Sequence, residues 1–388
     1  MSRHLAWFLS AVVMLAMSAP LQALNYEVGG CKTVTGYVNF TTISAAVAGV
    51  PAGSKILVCP GVYPEQVTIT QPLTLKGIAS GNASRAVIAI NPNGNLAPNV
   101  TSITGQSLYA QLLVQNSTPN SPITVNIIGI TVDGAGGNVG CGTDLAGIFY
   151  ASGTSGTINE ITARHQQSSD CGNGIWVENG AGLSQTITVE NSSVHNMDGS
   201  GIVAISDQNP LTLTAAIRGN FVSDTAVSEP YGSTGIYAQG NSTAITGNII
   251  TGGTNVASQF TGIATDQNES GGGGITVSGN VVADIPEPHG ESAGISPRNG
   301  TIVQSNKVSN VYVAFFPQAI TVGPTIQSNT SMNTKYALAF NCIGNSTTSV
   351  SGNIFSDSGI GLDTVPSQAL IGHNSFYNID TVQADPCP

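Results

Sequence analysis

The sequence predicts an all-β chain folded as a solenoid, and two markers that recur in phase carry that prediction. The first is an asparagine that opens a similar stretch at steps of 21 to 32 residues, at Asn191, Asn220, Asn248, Asn280, Asn306, Asn329, Asn353 and Asn374. The second is a Gly-Ile pair beginning at positions 147, 174, 201, 235, 262, 294 and 359, with Ala-Ile at 319. A repeat of about 20–30 residues built from short β-prone runs and Gly or Asn turns is typical of stacked solenoid coils.

The composition also favours strands and turns over helices. Charged residues are only 8 % of the chain, and glycine occurs 47 times. Helix surfaces need Lys, Glu and Arg, whereas this chain offers Thr, Ser, Asn, Val and Ile. Its net charge of −11 argues against nucleic acid as a partner. The same charge argues, less strongly, against tight binding of a polyanionic glycan.

The first residues indicate export. Arg3 and His4 precede an apolar run at residues 5–17, and residues 19–23 end in the small side chain that a signal peptidase requires. We therefore expect residues 1–23 to be a signal peptide and the mature chain to be secreted or periplasmic. No later segment reaches about 20 apolar residues, so no transmembrane segment is expected after cleavage.

A cap is expected over residues 24–55, followed by one solenoid domain over residues 56–388. Residues 40–49 can form a short amphipathic helix with Ile43 and Val47 on one face. A solenoid end exposes unpaired strand edges and apolar core, and it therefore needs such a lid.

The segment after the cap carries a family resemblance. Residues 60–69 read Pro-Gly-Val-Tyr-Pro-Glu-Gln-Val-Thr-Ile, and residues 73–77 read Leu-Thr-Leu-Lys-Gly, giving two short strands around a bend at residues 71–72. With the preceding helix and apolar strand, this resembles the first coil of the pectin-lyase-like superfamily. The repeat from 129 to 378 is similar to that group's generic repeat. The resemblance implies a single right-handed parallel β-helix of about 10–12 coils, roughly 50 Å long on the usual strand spacing.

The resemblance implies no single activity. Members of the superfamily include lyases, hydrolases, esterases, epimerases, phage tailspikes and proteins without known catalysis. The catalytic signatures of pectin methylesterases and polygalacturonases are missing here, as is the Arg-rich strand of pectate lyases. Pro288-His289 resembles part of the Asp-Pro-His-Asp segment of uronate epimerases.

A candidate catalytic set falls four residues after the recurring asparagine position. It contains Asp133, His165, His195 and Asp224, which would stack about 5 Å apart if one lies on each coil. Such neighbours shift one another's pKa values and could serve acid–base catalysis or bind a metal. For an enzyme we expect His195 as the proton acceptor or donor, Asp224 as its partner, and His165 or Asp198 as accessory. The alternative is that these residue types recur simply because they suit turns.

A second candidate set would line a groove beside the Gly-Ile strands. It combines residues on the loops before each pair with residues four positions after the glycine, namely Asp170, Glu178, Gln239, Asp266, His289, Glu291 and Arg298. Paired carboxylates are what a glycosidase needs, and the alternative is a solvated acidic loop face. No cofactor is evident, although calcium held by acids could replace the missing arginines of a uronate lyase.

Six cysteines in an exported chain predict disulfides. The repeat favours Cys141 with Cys171, which are about one coil apart, and leaves Cys31–Cys59 and Cys342–Cys387 for the two ends. No Cys-x-x-Cys pair occurs, so structural zinc is not expected.

Two functional hypotheses follow from the sequence. The leading one is an exported, monomeric β-helix protein that binds or cleaves an extended polysaccharide as a lyase, hydrolase or epimerase. The competing one is a non-catalytic scaffold or adhesin at the cell surface or in the periplasm. Coupled pKa values among the histidines would favour the enzyme, whereas independent titration near about 6.5 would favour the scaffold.

Overall fold

The computed structural model describes residues 25–32, 36–78, 85–92, 96–118, 121–137, 144–167, 171–180, 183–206, 213–225, 233–240, 242–252, 260–266, 274–285, 292–318, 322–341 and 347–383. The expected signal peptide lies outside these ranges, and the domain boundaries drawn from the sequence stay predictions.

The chain contains one described helix, α1 (Ile43–Gly49), and 35 described strands. The strands of the N-terminal coils are β1 (Asn25–Val28), β2 (Tyr37–Phe40), β3 (Ser54–Val58), β4 (Gly61–Pro64), β5 (Val67–Ile69), β6 (Leu73–Gly77), β7 (Ala86–Ala89), β8 (Val100–Thr101), β9 (Ser107–Val114), β10 (Ile123–Ile128), β11 (Thr131–Asp133) and β12 (Asp144–Tyr150). The strands of the middle coils are β13 (Thr154–Asn159), β14 (Thr162–Arg164), β15 (Gly172–Asn179), β16 (Gln185–Glu190), β17 (Ser193–Met197), β18 (Ile202–Ser206), β19 (Leu213–Arg218), β20 (Phe221–Thr225), β21 (Ser233–Gln239), β22 (Ser242–Thr246), β23 (Ile249–Thr251) and β24 (Phe260–Asp266). The strands of the C-terminal coils are β25 (Thr276–Ser278), β26 (Val281–Ala283), β27 (Ala293–Ser296), β28 (Ile302–Gln304), β29 (Lys307–Phe315), β30 (Thr325–Gln327), β31 (Thr330–Ala339), β32 (Ser349–Ser351), β33 (Ile354–Asp363), β34 (Leu370–Gly372) and β35 (Ser375–Gln383).

The strands stack into two long sheets that present three faces. The first face is a 14-stranded sheet in the order β2-β1-β3-β6-β10-β13-β16-β19-β22-β25-β28-β30-β32-β34. The second face contains β11, β14, β17, β20, β23 and β26, and the third face contains the Gly-Ile strands β12, β15, β18, β21, β24 and β27. In the last coils, the strands β29, β31, β33 and β35 each span both of these faces, which joins the two faces into one 21-stranded sheet. Apart from β8, which pairs antiparallel with β9, the described strands pair in parallel with their counterparts in neighbouring coils, as the sequence predicted.

The repeated asparagines form a buried ladder at the turn between the first and second faces. Asn248, for example, donates from Nδ2 to the carbonyl of Ile217 at 2.9 Å and to Oδ1 of Asn280 at 2.9 Å. Its own Oδ1 accepts the backbone N–H of Asn220 at 2.9 Å. The pattern continues from coil to coil as far as Asn374. The side chains therefore satisfy backbone groups that the tight turn leaves unpaired.

One member of the predicted ladder was placed wrongly. Asn191 does not lie in the ladder but one residue before it, at φ 50°, where the following coils have Gly219 and Gly247. Ser192 takes the ladder place, and its backbone N–H donates to Oδ1 of Asn220 at 3.0 Å. The turn uses two adjacent positions, a left-handed one and a hydrogen-bonding one. Asparagine suits both, so spacing alone did not separate them.

The Gly-Ile repeat marks a bend where no side chain fits. A Cβ on Gly201 would lie 2.6 Å from the carbonyl oxygen of Gly235 and 2.6 Å from Cγ1 of Val222. The isoleucine that follows points inward as predicted, and Ile202 and Ile236 are fully buried. The pair at 359 was assigned to the wrong phase, because Ile360 aligns with Tyr336 on the outer side and Leu362 takes the interior place.

The motif that carried the family resemblance has a structural role at the cap. Glu65 accepts the backbone N–H groups of Ile43 and Ser44 at 2.7 and 2.8 Å and so caps the first turn of α1. The hydroxyl of Tyr63 donates to the carbonyl of Cys59 at 2.8 Å. Because these side chains bind the cap to the first coil, the motif indicates fold rather than chemistry.

The predicted Cys31–Cys59 disulfide is confirmed, with a Cα–Cα distance of 5.7 Å. Cys171 is also disulfide-bonded, while its expected partner Cys141 lies outside the described residues, as do Cys342 and Cys387. No helix in the described ranges has the length and apolarity needed to cross a membrane.

Candidate functional site

A cluster of titratable side chains lies where the second face turns toward the third. Nδ1 of His165 lies 2.9 Å from Oδ1 of Asp133, while Arg164 contacts Oδ2 through Nε and Nη2, both at 2.9 Å. The rings of His165 and His195 meet edge to face, with centroids 6.2 Å apart. We call these four residues the histidine cluster. The structure thus brings together three of the four members of the predicted column.

The cluster is not the single column that the sequence predicted. The strand register aligns Asp133 with Arg164 and Arg164 with His195, whereas His165 lies one residue further along its strand. The next strand aligns Ser223 with His195, so Asp224 also lies one residue beyond the row. For His195 the error follows from Asn191, because the residue equivalent to Asn220 is Ser192, one position later.

The position of His165 is a second left-handed turn that recurs along the molecule. His165 has φ 58°, and the equivalent Asn196, Asn310 and Asn333 have φ values of 58°, 55° and 53°. Asn333 donates to Oδ1 of Asn310 at 2.7 Å, so elsewhere the position supports only a side-chain ladder. A histidine at a place that suits asparagine and glycine carries some backbone strain.

The electrostatics of the cluster keep Asp133 ionised. Burial alone would raise the pKa of Asp133, but hydrogen bonds from His165 and the Ala135 backbone, with the Arg164 guanidinium beside it, hold that pKa below its usual range. An ionised Asp133 accepts the Nδ1 proton of His165 and leaves Nε2 as the site that can exchange a proton. The His165 side chain is 36 % exposed, so that nitrogen can reach a ligand.

Asp198, which the sequence predicts as an accessory residue, lies nearby and is buried. Its side chain is 2 % exposed, and Oδ1 accepts the backbone N–H of Gly172 at 2.7 Å. This bond fixes the start of β15 beside the disulfide-bonded Cys171. The carboxylate therefore holds the backbone, as expected for a buried acid that needs donors.

Sequence reasoning missed one acid at this edge. Asp144 begins β12, and burial raises the pKa of its carboxyl. The backbone N–H of the next residue, Leu145, donates to the carbonyl of Cys171 at 3.0 Å, which places Asp144 beside the Cys171 coil. The available signal was an acid that directly precedes a buried Leu-Ala-Gly-Ile strand.

The second predicted set forms one line along the third face. Glu178 aligns with Ile205, Ile205 with Gln239, and Gln239 with Asp266. Arg298 continues the line, with Nη1 3.1 Å from Oδ2 of Asp266. The predicted spacing therefore brings these side chains together, about 5 Å per coil. Asp170, His289 and Glu291 lie outside the described residues.

Aromatic side chains beside this line were not predicted. Trp176 stacks on Phe149 with ring centroids 6.2 Å apart. Tyr237 donates to Oε1 of Gln239 at 3.2 Å. Burial and the charge of Asp266, opposed by Arg298, raise the pKa of Tyr237 to about 12. Alternation along a half-buried strand could have found them, because both lie two residues after the glycine of a Gly-Ile pair.

Comparison with known proteins identifies the fold. No protein-family model matches the chain, and no curated protein sequence matches it. Among solved structures, DFA-IIIase from Arthrobacter chlorophenolicus A6 in complex with GF2 matches with a TM-score of 0.51 and 12 % identity, covering 94 % of this chain and 99 % of that one. Pectate lyase Pel9A matches with a TM-score of 0.51 and 12 % identity, covering 90 % of this chain and 78 % of that one. This chain has the pectin-lyase-like fold, a right-handed parallel β-helix. Identities this low show the fold alone.

Within this β-helix, two of the acids that calcium could use already pair with an arginine. Asp133 pairs with Arg164 and Asp266 with Arg298, so a guanidinium already occupies a carboxylate that a calcium ion would need. The only described group of three potential metal ligands is Glu27, Cys31 and Cys59. The two sulfur atoms of that group are joined in a disulfide, which leaves no thiolate to bind a metal.

Proposed function

We propose that this β-helix protein acts on an extended polysaccharide, with the Asp133–His165 pair as its acid–base group. The observation that carries the proposal is the 2.9 Å contact between Nδ1 of His165 and Oδ1 of Asp133. The fold supports the substrate class, because the structures that match include one called a pectate lyase. Lyase, hydrolase and epimerase chemistry all need a group that moves a proton at the sugar, and the pair supplies one.

The pair works through orientation and charge. Asp133 accepts from Nδ1 and fixes the ring, so that Nε2 is the atom that takes or gives the proton. The carboxylate also stabilises the imidazolium formed when Nε2 takes a proton. His195, with its ring centroid 6.2 Å away, is close enough for its charge to influence that of His165. In this assignment His165 replaces His195 as the principal residue.

The test is turnover on a panel of neutral and uronic polysaccharides, following both new reducing ends and the unsaturated product of β-elimination. The key variant is His165→Asn, because the next coil already has an asparagine at the equivalent place with φ 58°. We expect His165→Asn to remain folded by circular dichroism and to lose turnover by about 100-fold or more.

The matched control is His373→Asn. His373 has the same left-handed backbone, at φ 56°, in a coil far along the chain from the cluster, and its replacement should leave turnover unchanged. Asp133→Asn should reduce turnover through the loss of ring orientation. Full turnover in a folded His165→Asn variant contradicts the assignment and moves the chemistry to another site.

One observation favours the competing scaffold function. At the turn position of His165, the pair Asp357 and Asn378 makes only a side-chain hydrogen bond of 2.8 Å, and Asp284 and Asn310 do the same at 2.6 Å. If His165 is structural in the same sense, no substrate in the panel will be turned over, and the histidine resonances will titrate independently by NMR. Two-step, coupled titration of His165 and His195 favours the enzyme.

Export forms part of the proposal. The N-terminal pattern supports cleavage after residue 23 and a secreted or periplasmic, monomeric protein. Mass spectrometry of the mature chain tests the cleavage, and light scattering tests the monomer. An N-terminus at Met1 on the purified protein, or an oligomer in dilute solution, contradicts the corresponding part.

A further inference from the structure

A strap crosses the N-terminal end of the third face. We give that name to residues 96–106, which include β8, and β8 pairs antiparallel with β9. The Asn99 side chain donates to the carbonyl of Ala110 at 2.9 Å and accepts its N–H at 2.8 Å. Gln66 makes a similar double contact with Ala97, at 2.9 and 3.2 Å. The amide side chains of Asn99 and Gln66 therefore hold the strap in place, because they hydrogen-bond to backbone groups as a paired strand would.

The far end of the strap is fixed by Glu178. Oε2 of Glu178 accepts the Ser102 hydroxyl at 2.6 Å, and Oε1 accepts the backbone N–H of Ile103 at 3.1 Å. Glu178 is 2 % exposed and Ser102 is 5 % exposed. A buried carboxylate with charge-assisted donors is a built feature of the fold.

An open cavity of about 510 Å³ lies beside this contact. Its lining contains amide and hydroxyl groups next to a few apolar side chains, and it is formed by Pro98, Asn99, Val100, Thr101, Ser102, Ile103, Ser107, Gln115, Asn116, Ala151, Ser152 and Glu178. None of the twelve is Lys, Arg or His. The walls thus present hydrogen-bonding groups of both kinds and one negative charge.

We propose that this cavity binds one neutral sugar unit, whose hydroxyl groups donate to the Glu178 carboxylate. The inference rests on the proposed function only for its substrate class. Each carboxylate oxygen of Glu178 accepts a strap donor, and the side chain forms part of the cavity lining; an ionised carboxylate offers about four acceptor positions in all, which suits hydroxyl donors. Val100, Ile103 and Ala151 supply apolar surface for the C–H groups of a sugar ring, a combination that small-molecule sites commonly use.

The charge of the cavity selects against acidic sugars. A uronate carboxylate would approach Glu178 with no basic lining residue to offset the repulsion. On the third face, Arg298 is already paired with Asp266. The net charge of −11 acts in the same direction over longer distances. The site therefore favours neutral glycans over polyuronates.

A metal ion is a poorer fit than a sugar. Among the described residues of the lining, Glu178 is the only carboxylate, and both of its oxygens already accept hydrogen bonds from the strap. Calcium requires about six to eight oxygen ligands, usually with several carboxylates among them. A hydroxyl-rich ligand needs only scattered donors and acceptors, which the cavity offers.

The test measures equilibrium binding on the full mature chain, independently of turnover. The probes are cellobiose, xylobiose, mannobiose and sucrose, with digalacturonate as the acidic comparison, followed by saturation-transfer NMR and calorimetry. We expect at least one neutral disaccharide to bind, and digalacturonate to bind more weakly. Glu178→Gln should weaken that binding by about 10-fold or more, through the loss of a charge-assisted acceptor.

A second variant keeps the test decisive if Glu178→Gln disturbs the strap. Thr101 is exposed on β8 and lines the cavity, so Thr101→Trp should fill it and abolish binding in a folded protein. The matched controls are Glu190→Gln and Thr186→Trp, on the first face, where Glu190 instead accepts from Arg218 at 2.7 Å. Both controls should leave binding unchanged.

Several outcomes would overturn the inference. They are no binding by any neutral probe, equal binding by folded Thr101→Trp, tighter binding of digalacturonate, or a calcium-dependent rise in thermal stability lost in Glu178→Gln. The results also separate this inference from the proposed reaction. Binding that depends on Glu178 in a chain without turnover contradicts the reaction alone. Turnover that depends on His165, without binding at the cavity, contradicts the cavity alone.

Discussion

The turn between the first and second faces is built from different residues in the coils before Asn220 and in the coils after it. From Asn220 onward the ladder position is asparagine in every coil as far as Asn374, and each amide bonds to its neighbour. In the preceding coils the equivalent positions are Ile130, Ile161 and Ser192. The C-terminal coils are therefore the regular part of the molecule and the N-terminal coils the irregular part.

The candidate functional residues lie in the irregular coils, whereas the regular coils contain the asparagine ladder that stabilises the stack. The described members of the histidine cluster, the buried Glu178 and the strap all lie before Asn220, where the repeat is broken. In the C-terminal coils the corner equivalent to His165 is filled by residues such as Asp284, Asn310 and Asn333, whose side chains hydrogen-bond to one another from coil to coil. The comparison teaches that regular coils satisfy backbone groups, whereas irregular coils leave places for titratable side chains.

The largest expected effect comes from removing one rung of the asparagine ladder. Asn280→Ala takes the acceptor from the backbone N–H of Asn248 and the donor from the carbonyl of Ile245, both 2.9 Å contacts. Because both orphaned groups are buried, we expect a loss of about 3 kcal/mol in the free energy of unfolding. Urea titration followed by circular dichroism measures it.

The same experiment in the irregular coils should show a smaller effect. Ser192 accepts the N–H of Ile161 at 3.2 Å and donates to the carbonyl of Glu190 at 2.8 Å. Ser192→Ala should cost about 1 kcal/mol. Equal losses for Ser192→Ala and Asn280→Ala would break the distinction between the two regions.

The next effect tests the bend shared by both regions. Gly201→Ala would place a Cβ 2.6 Å from the carbonyl oxygen of Gly235, and overpacking of this kind costs about 2 kcal/mol. Gly274 has no atom within 4 Å of its Cβ position, so Gly274→Ala is the control and should stay within about 0.5 kcal/mol. A thermally unchanged Gly201→Ala protein would show that the coils can separate at this bend.

The stack, the buried isoleucines, the cap helix and the Cys31–Cys59 bridge could all be predicted from sequence, because periodicity and spacing determine them. The register of the histidine cluster could not. Asn191 and Asn220 look equivalent in the sequence, yet one adopts a left-handed turn and the other bonds to the ladder. The partners of Glu178 could not be predicted either. Ser102 and Ile103 lie 76 and 75 residues away in the sequence, and the strap that contains them has no repeat from which its position could be inferred.

A smaller effect concerns the pH dependence of the irregular coils. The pKa of Asp133 is lowered in the folded protein, so its ionised form adds stability above the unfolded value of about 3.9. That contribution is lost as the pH falls through the folded pKa. Comparing wild type with Asp133→Asn in urea, the difference in unfolding free energy should shrink as the pH falls from about 5 toward about 2. A difference that does not vary with pH would show that the contacts of Asp133 do not depend on its charge.

The smallest effect compares two histidines in the same backbone conformation. His165 and His373 have φ values of 58° and 56°, and asparagine tolerates that region better than histidine. His373→Asn, in the last coils, should therefore gain about 0.5 kcal/mol in unfolding free energy. His165→Asn should instead lose about 0.5 kcal/mol, because it also loses the 2.9 Å contact with Asp133, worth about 1 kcal/mol. Differential scanning calorimetry of the two variants isolates that contact. If both variants gain equally, the Asp133–His165 bond contributes nothing to stability, and its role must then lie in the reaction alone.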